Sequence, residues 1–202
     1  MLKEKSESEG FGGKKKPRPR KEYAPRAPRP IDAAQLQELA VSYAARYATT
    51  AAKLRRYLER KLNERVWTPV DPPDVAGLVS RITALGYVDD RAYAVSKNRD
   101  LTARGFGAGR VRGMLSAAGV SRDDVVAVLT PEDGEPADPY AAAVAFARRR
   151  RFGPFAREGA ADPVQRNREM AAMARAGHDF GVARRVLMAA DEAAAAALSS
   201  DD

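Results

Sequence analysis

Cysteine is absent from the 202 residues, and histidine occurs once, as His178. These two gaps together remove disulfide frameworks, zinc fingers, thiol nucleophiles and the usual histidine-based catalytic pairs. Apolar runs are short and Ala-rich, far below the ~18 residues that a membrane span requires. The N-terminus is too charged for a secretory leader, so a cytoplasmic address without a membrane partner is expected. Gly13-Lys14 lacks the upstream glycine and the following Ser or Thr of a phosphate-binding loop, and no ATP site is visible. No catalytic residue, metal or cofactor is expected, and enzymatic activity is not expected either.

The positive charge that is present is unevenly spread. The net charge is +8 overall, yet residues 1–30 hold ten Lys/Arg against four Glu, leaving only +2 for residues 31–202. The Pro-alternating stretch PRPRKEYAPRAPRP has few residues able to offset the entropy of ordering, so residues 1–31 are expected to be a disordered basic tail. Such an arm serves as a solubility tag about as often as a nucleic-acid tether.

From Ile31 onward β-branched runs with two-residue alternation are missing, and Ala, Leu and Arg dominate. The pattern predicts an all-α chain. Leu36, Leu39, Ala40, Tyr43, Ala44 and Tyr47 form one helical stripe, and Leu54, Leu58 and Leu62 a second. A third helix begins after Pro72-Pro73 and packs through Val75, Leu78, Val79, Ile82 and Leu85. Gly86, Gly119 and Gly177 each end a helix-like run, and Asp89, Ser121 and Asp179 follow as caps. Glycine supplies the left-handed turn and the polar side chain accepts from orphan amides, which predicts tight helix-to-helix corners.

An internal repeat organises these helices. Leu54-Arg-Arg-Tyr-Leu58 returns as Val111-Arg-Gly-Met-Leu115 and, more weakly, as Glu169-Met-Ala-Ala-Met173. Three tandem three-helix repeats are expected, at 32–87, 88–131 and 140–190. An acidic linker would occupy 132–139 and an Ala/Asp-rich C-terminal tail 191–202. Units so small must stack to bury enough apolar surface, giving an elongated curved array.

The segment Leu85-Gly-Tyr-Val-Asp89-Asp90-Arg-Ala-Tyr93-Ala, then Arg104-Gly-Phe-Gly-Ala-Gly-Arg110-Val-Arg-Gly-Met-Leu115 and Ala-Gly119-Val, resembles the RecX family of recombinase regulators. The resemblance is strong over roughly 50–129. It implies three tandem three-helix repeats and a protein that binds the RecA nucleoprotein filament and inhibits its ATPase, extension and strand exchange. Departures lie at Tyr93, where Phe is more usual, in the Gly-Phe-Gly-Ala-Gly run, and in the connection holding Trp67, Pro69, Pro72 and Pro73.

Basic groups recur once per repeat: Lys53, Arg55, Arg56 and Arg60; Arg104, Arg110 and Arg112; and Arg148, Arg149, Arg150 and Arg151. If stacking lines them up, they form a groove for an extended phosphodiester chain or filament. Glu59 and Glu64 moderate the first set, and a helix C-terminus accounts for part of the third. Tyr57, Phe106 and Phe152 are candidates for base stacking, with core packing the commoner use. Asp89-Asp90 reads as helix capping rather than a catalytic pair. The run 105–109 is open to two readings, a phosphate-holding turn or a plain flexible connection. His178 reads as a corner residue, and Met170 with Met173 as core. The expected partners are a RecA filament and single-stranded DNA bound without sequence preference, by a monomer. A general nucleic-acid-binding helical module or a structural adaptor would fit the same composition.

Overall fold

In a computed structural model the described residues, 28–130, 138–157 and 162–199, form ten α-helices and one pair of short strands. The elements are β1 (Arg29–Ile31), α1 (Ala33–Arg46), α2 (Ala51–Asn63), β2 (Arg65–Trp67), α3 (Val75–Ala84), α4 (Asp90–Ala103), α5 (Ala108–Ala118), α6 (Arg122–Leu129), α7 (Pro139–Arg150), α8 (Pro163–Arg175), α9 (Phe180–Leu187) and α10 (Glu192–Ala197). Side-chain caps start nearly all of the helices. Asp32, Thr50, Asp74, Asp89, Ser121, Asp138, Asp162, Asp179 and Asp191 each accept from backbone amides of the turn they open. Gly86, Gly119 and Gly177 hold φ values of 77°, 85° and 89°, closing the preceding helices.

The helices bury their apolar faces in three separate cores. Leu36, Leu54, Leu58, Leu78 and Ile82 fill the first, among α1–α3. Ala94, Leu101, Val111, Leu115 and Val125 fill the second, among α4–α6. Ala143, Phe146, Phe155, Met173 and Val186 fill the third, among α7–α10 and a 3-10 turn at Gly153–Phe155. The described residues are predominantly helical, as the sequence predicts, the one short strand pair apart.

Three boundaries differ from the expected ones. The expected basic tail reaches residue 31, yet Arg29–Ile31 pairs in parallel with Arg65–Trp67, Ile31 opposite Trp67. The α1–α2 hairpin supplies the crossover a parallel pair needs, and the pairing leaves Ile31 with no exposed surface. Three residues with one buried side chain carry no periodicity, so the strand was invisible. The rest of that tail, 1–27, lies outside the described residues, as does 131–137 of the linker. The expected linker reaches residue 139, but Asp138 accepts from the amides of Tyr140 and Ala141 and Pro139 is the first residue of α7. Within the C-terminal tail, residues 192–197 form α10, whose Ala195 is fully buried in the third core. A run of alanines has no polar face to reveal which side is covered.

The repeat acquires a physical basis where the three units meet. Thr50, the cap of α2, donates its hydroxyl to the carbonyl of Ala118 at the end of α5, at 2.6 Å. One repeat later, the amide of Gly107, the cap of α5, donates to the carbonyl of Ala176 just past the end of α8, at 3.0 Å. The amide end of one second helix thus meets the carbonyl end of the next at both joints. At the second joint orphan amides of one helix terminus and carbonyls at the other satisfy one another, while at the first a side-chain hydroxyl supplies the donor. Asp90 reinforces the first joint by accepting from the amide of Ala51 at 2.8 Å. Asp89 caps its own helix, so the two carboxylates of the doublet cap helices in different units.

The glycine run is the second joint. Gly107 and Gly109 donate their amides to the carbonyls of Ala176 and Gly177. It is neither a phosphate cradle nor a flexible connection, because those amides are occupied and the backbones touch. A Cβ on Gly107 would stand 2.3 Å from the Gly177 carbonyl oxygen, and nothing lies within 4 Å of one on Gly113. Gly107→Ala is therefore expected to lose about 1–3 kcal/mol of stability. Gly113→Ala, in the same helix, should gain ~0.5–1 kcal/mol. Urea denaturation of the two variants measures both.

Candidate functional site

The joint between the second and third units opens into a cleft of about 900 Å³. Arg110 and Arg112 project from the first turns of α5 and Arg175 from the last turn of α8, and all three line it, together with Asn98, Phe106 and His178. Asp138 and Asp179 stand at the same cleft, but both are occupied as caps. Among the described residues ion pairs occur only along α2 and its end, so none of these three guanidiniums is held by a carboxylate. A cleft so furnished attracts anions, and its cations remain available to phosphate.

The other arginines of this region cluster around aromatic rings. Arg104 lies 5.5 Å from the centre of Phe106, a residue of the cleft, and Arg149 donates to the Arg104 carbonyl at 2.5 Å. Arg149 and Arg150 lie 5.6 and 5.8 Å from the Phe146 ring, and Arg148 lies 5.2 Å from that of Phe155. Phe106 and Phe146 are themselves 6.4 Å apart. Arg151 ends α7 with φ 58°, a left-handed residue where glycine is usual. The basic run thus ends a helix, lies over aromatic faces and reaches back to the second unit.

The first set of predicted residues is placed differently. Lys53 is half-buried, hydrogen-bonded to the Tyr93 hydroxyl and over its ring, so it is a bridge between units one and two rather than an open cation. Arg56 also crosses that boundary, donating to the Ala117 carbonyl at 3.2 Å. Arg55 and Arg60 are exposed and face Glu59 and Glu64 at 4.0 and 3.8 Å. Lys61 donates to Glu64 at 2.6 Å, and that bond holds the Glu64 carboxyl below its ordinary range. The structure brings Arg104, Arg110, Arg112, Arg149 and Arg150 around the second joint and leaves Arg55 and Arg60 along α2.

Arg175 was missed by sequence reading. An arginine in a last helical turn reads as a partner of the helix dipole, and only the docking of α8 onto α5 turns it into the cleft. Tyr57 stacks on Tyr43, ring centres 4.1 Å apart, while Phe106 and Phe152 pack against the third core. No three His, Cys, Asp or Glu residues converge among the described residues. Among them, too, no helix is long and apolar enough to cross a membrane.

Comparison with known proteins bears on this arrangement. The chain is 30% identical over 183 residues to the regulatory protein RecX of Myxococcus xanthus, a match covering 85% of this chain and 94% of that protein. The chain belongs to the RecX family. The RecX regulatory proteins of Deinococcus radiodurans and Agrobacterium fabrum are 33% and 30% identical over 155 and 154 residues, covering 65% and 74% of this chain and 71% and 80% of theirs. A RecX crystal structure shares the fold, with a TM-score of 0.52 and 19% identity over 75% of this chain and 71% of its own. No family model matches the chain. The family resemblance at 85–120 covers one side of each joint, Asp90 and Ala118 at the first and Gly107 and Gly109 at the second.

His178 adds a titratable group to the second joint. Its Nε2 donates to the Gly105 carbonyl at 3.1 Å, and its ring lies 5.5 Å from Phe146. Burial pushes its pKa below the ordinary 6.5, partly opposed by that hydrogen bond. Between the lowered folded value and about 6.5 the unfolded chain binds more protons, so stability falls as pH drops through that window and is unaffected above it. Denaturation midpoints taken from about pH 8 to about pH 5 should show a steeper acid decline for the wild type than for His178→Gln.

Proposed function

We propose that the protein restrains a RecA recombinase by docking on its single-stranded DNA filament, inhibiting ATP turnover, filament extension and strand exchange without chemistry of its own. One observation carries this reading beyond family membership: three guanidiniums, Arg110, Arg112 and Arg175, share a cleft and have no carboxylate partner among the described residues. Phosphates of a strand or filament groove are the ligands that such cations accept, without sequence preference. Arg104, Arg149 and Arg150 extend the positive surface beside the cleft. The protein would act as a monomer in the cytoplasm, where its recombinase works.

Recombinase ATPase on single-stranded DNA, with substoichiometric amounts of this protein, tests the reading. Inhibition is expected for the wild type, and the R110A/R112A/R175A variant should need a higher concentration for the same effect. Each lost phosphate contact lowers the log-log salt slope of single-strand binding by ~0.7, so the triple variant should lose up to about 2. Equal affinity for naked duplex and for the recombinase filament would favour a general nucleic-acid-binding module and overturn the proposal.

A further inference from the structure

A second cavity, of about 470 Å³, lies between units one and two, where the turn after α1 meets the start of α4. It differs in chemistry from the arginine cleft. Tyr47, Tyr87 and Tyr93 line it, with Lys53, Lys97 and Thr49. Tyr47 and Tyr87 are 52% and 50% exposed, which leaves much of each ring open to a ligand. Neither ring hangs on a loose loop. Tyr47 ends α1, donates its amide to the Tyr43 carbonyl, and sits 5.2 Å from the Tyr43 ring, which in turn stacks on Tyr57. Tyr87 is held by the left-handed turn at Gly86, its amide donating to the Ile82 carbonyl.

The charge around this cavity is balanced, which sets the class of ligand. Lys53 is engaged by Tyr93, and Asp89 and Asp100 lie among the lining residues. An anion gains little there, whereas a neutral planar heterocycle gains ring faces for stacking. We infer that the cavity takes an unstacked nucleobase of single-stranded DNA, Tyr47 and Tyr87 supplying the stacking faces while the phosphates run outside. The inference rests on the single-strand binding proposed above and adds to it a base-dependent contact distinct from the phosphate-dependent one. Stacking on a preformed aromatic surface contributes without sequence preference, since every base has a π-face.

The full-length protein can be titrated with a single-stranded thymidine oligonucleotide, with an abasic strand of the same length, and with a strand carrying 2-aminopurine. For the wild type we expect the abasic strand to bind about tenfold more weakly, and 2-aminopurine fluorescence to be quenched on binding. Y47L/Y87L should lose about tenfold on the thymidine strand, keep its salt slope and bind the two strands alike, while Y47F/Y87F keeps wild-type affinity. Folding is monitored by circular dichroism, and the wild-type comparison of thymidine with abasic strand needs no variant. Equal wild-type affinity for both strands, or an undiminished preference in Y47L/Y87L, overturns the base site while leaving the arginine cleft standing. Absence of binding to any strand overturns both.

Discussion

The joint between the amide end of one second helix and the carbonyl end of the next is the interaction on which the architecture depends. A unit of three short helices has a core of only a handful of buried side chains, here Ala94, Leu101, Val111, Leu115 and a few others in the second unit, and cannot sustain itself well alone. Helix termini each leave backbone groups without partners. Setting α2 on α5 and α5 on α8 gives the carbonyls at two of those ends a donor. Thr50 and Gly107 occupy corresponding places, as do Ala118 and Ala176. The repeat spacing in the sequence is the spacing of these joints.

Both candidate ligand sites lie beside the joints for the same reason. Where two helices meet end to end, the flanking helices cannot close completely around them, and crevices remain. The crevice beside the second joint collected arginines, and the one beside the first collected tyrosines with charges of both signs. The two differ as a phosphodiester chain differs along its own length, anionic outside and planar and apolar within. A strand engaged at both would be held by charge at one end and by stacking at the other. Lys53 and Arg56, which resemble a binding surface when α2 is drawn as an isolated helix, are instead spent on holding unit one to unit two.

Much of the fold was legible because its signals are local. Capping residues such as Asp89, Ser121 and Asp179 act within three or four residues. Left-handed glycines at 86, 119 and 177 act within a turn, and the stripe Leu54, Leu58 and Leu62 has the helical period. Less legible were features whose meaning depends on a distant partner. Asp90 is a cap for α2, thirty-nine residues earlier. Gly107 and Gly109 are glycines because the backbone at Gly177 approaches them, and no local rule distinguishes that from flexibility. The β1–β2 pair and α10 are too short for any period to develop.

By itself the sequence determined a predominantly helical chain with no thiol and a single histidine, and membership of its family through the helix-end motifs at 85–120. These follow from propensity, capping and periodicity, which operate over a few residues of chain. Tertiary structure alone decided which cations remain open and which are consumed as bridges. Only there do Arg175, Arg110 and Arg112 come to share one cleft and Tyr47 and Tyr87 another. The reason is geometric: a side chain's direction relative to another unit is set by how helix ends dock, and docking depends on hydrogen bonds between residues about sixty to seventy positions apart, the Thr50 hydroxyl with the Ala118 carbonyl and the Gly107 amide with the Ala176 carbonyl.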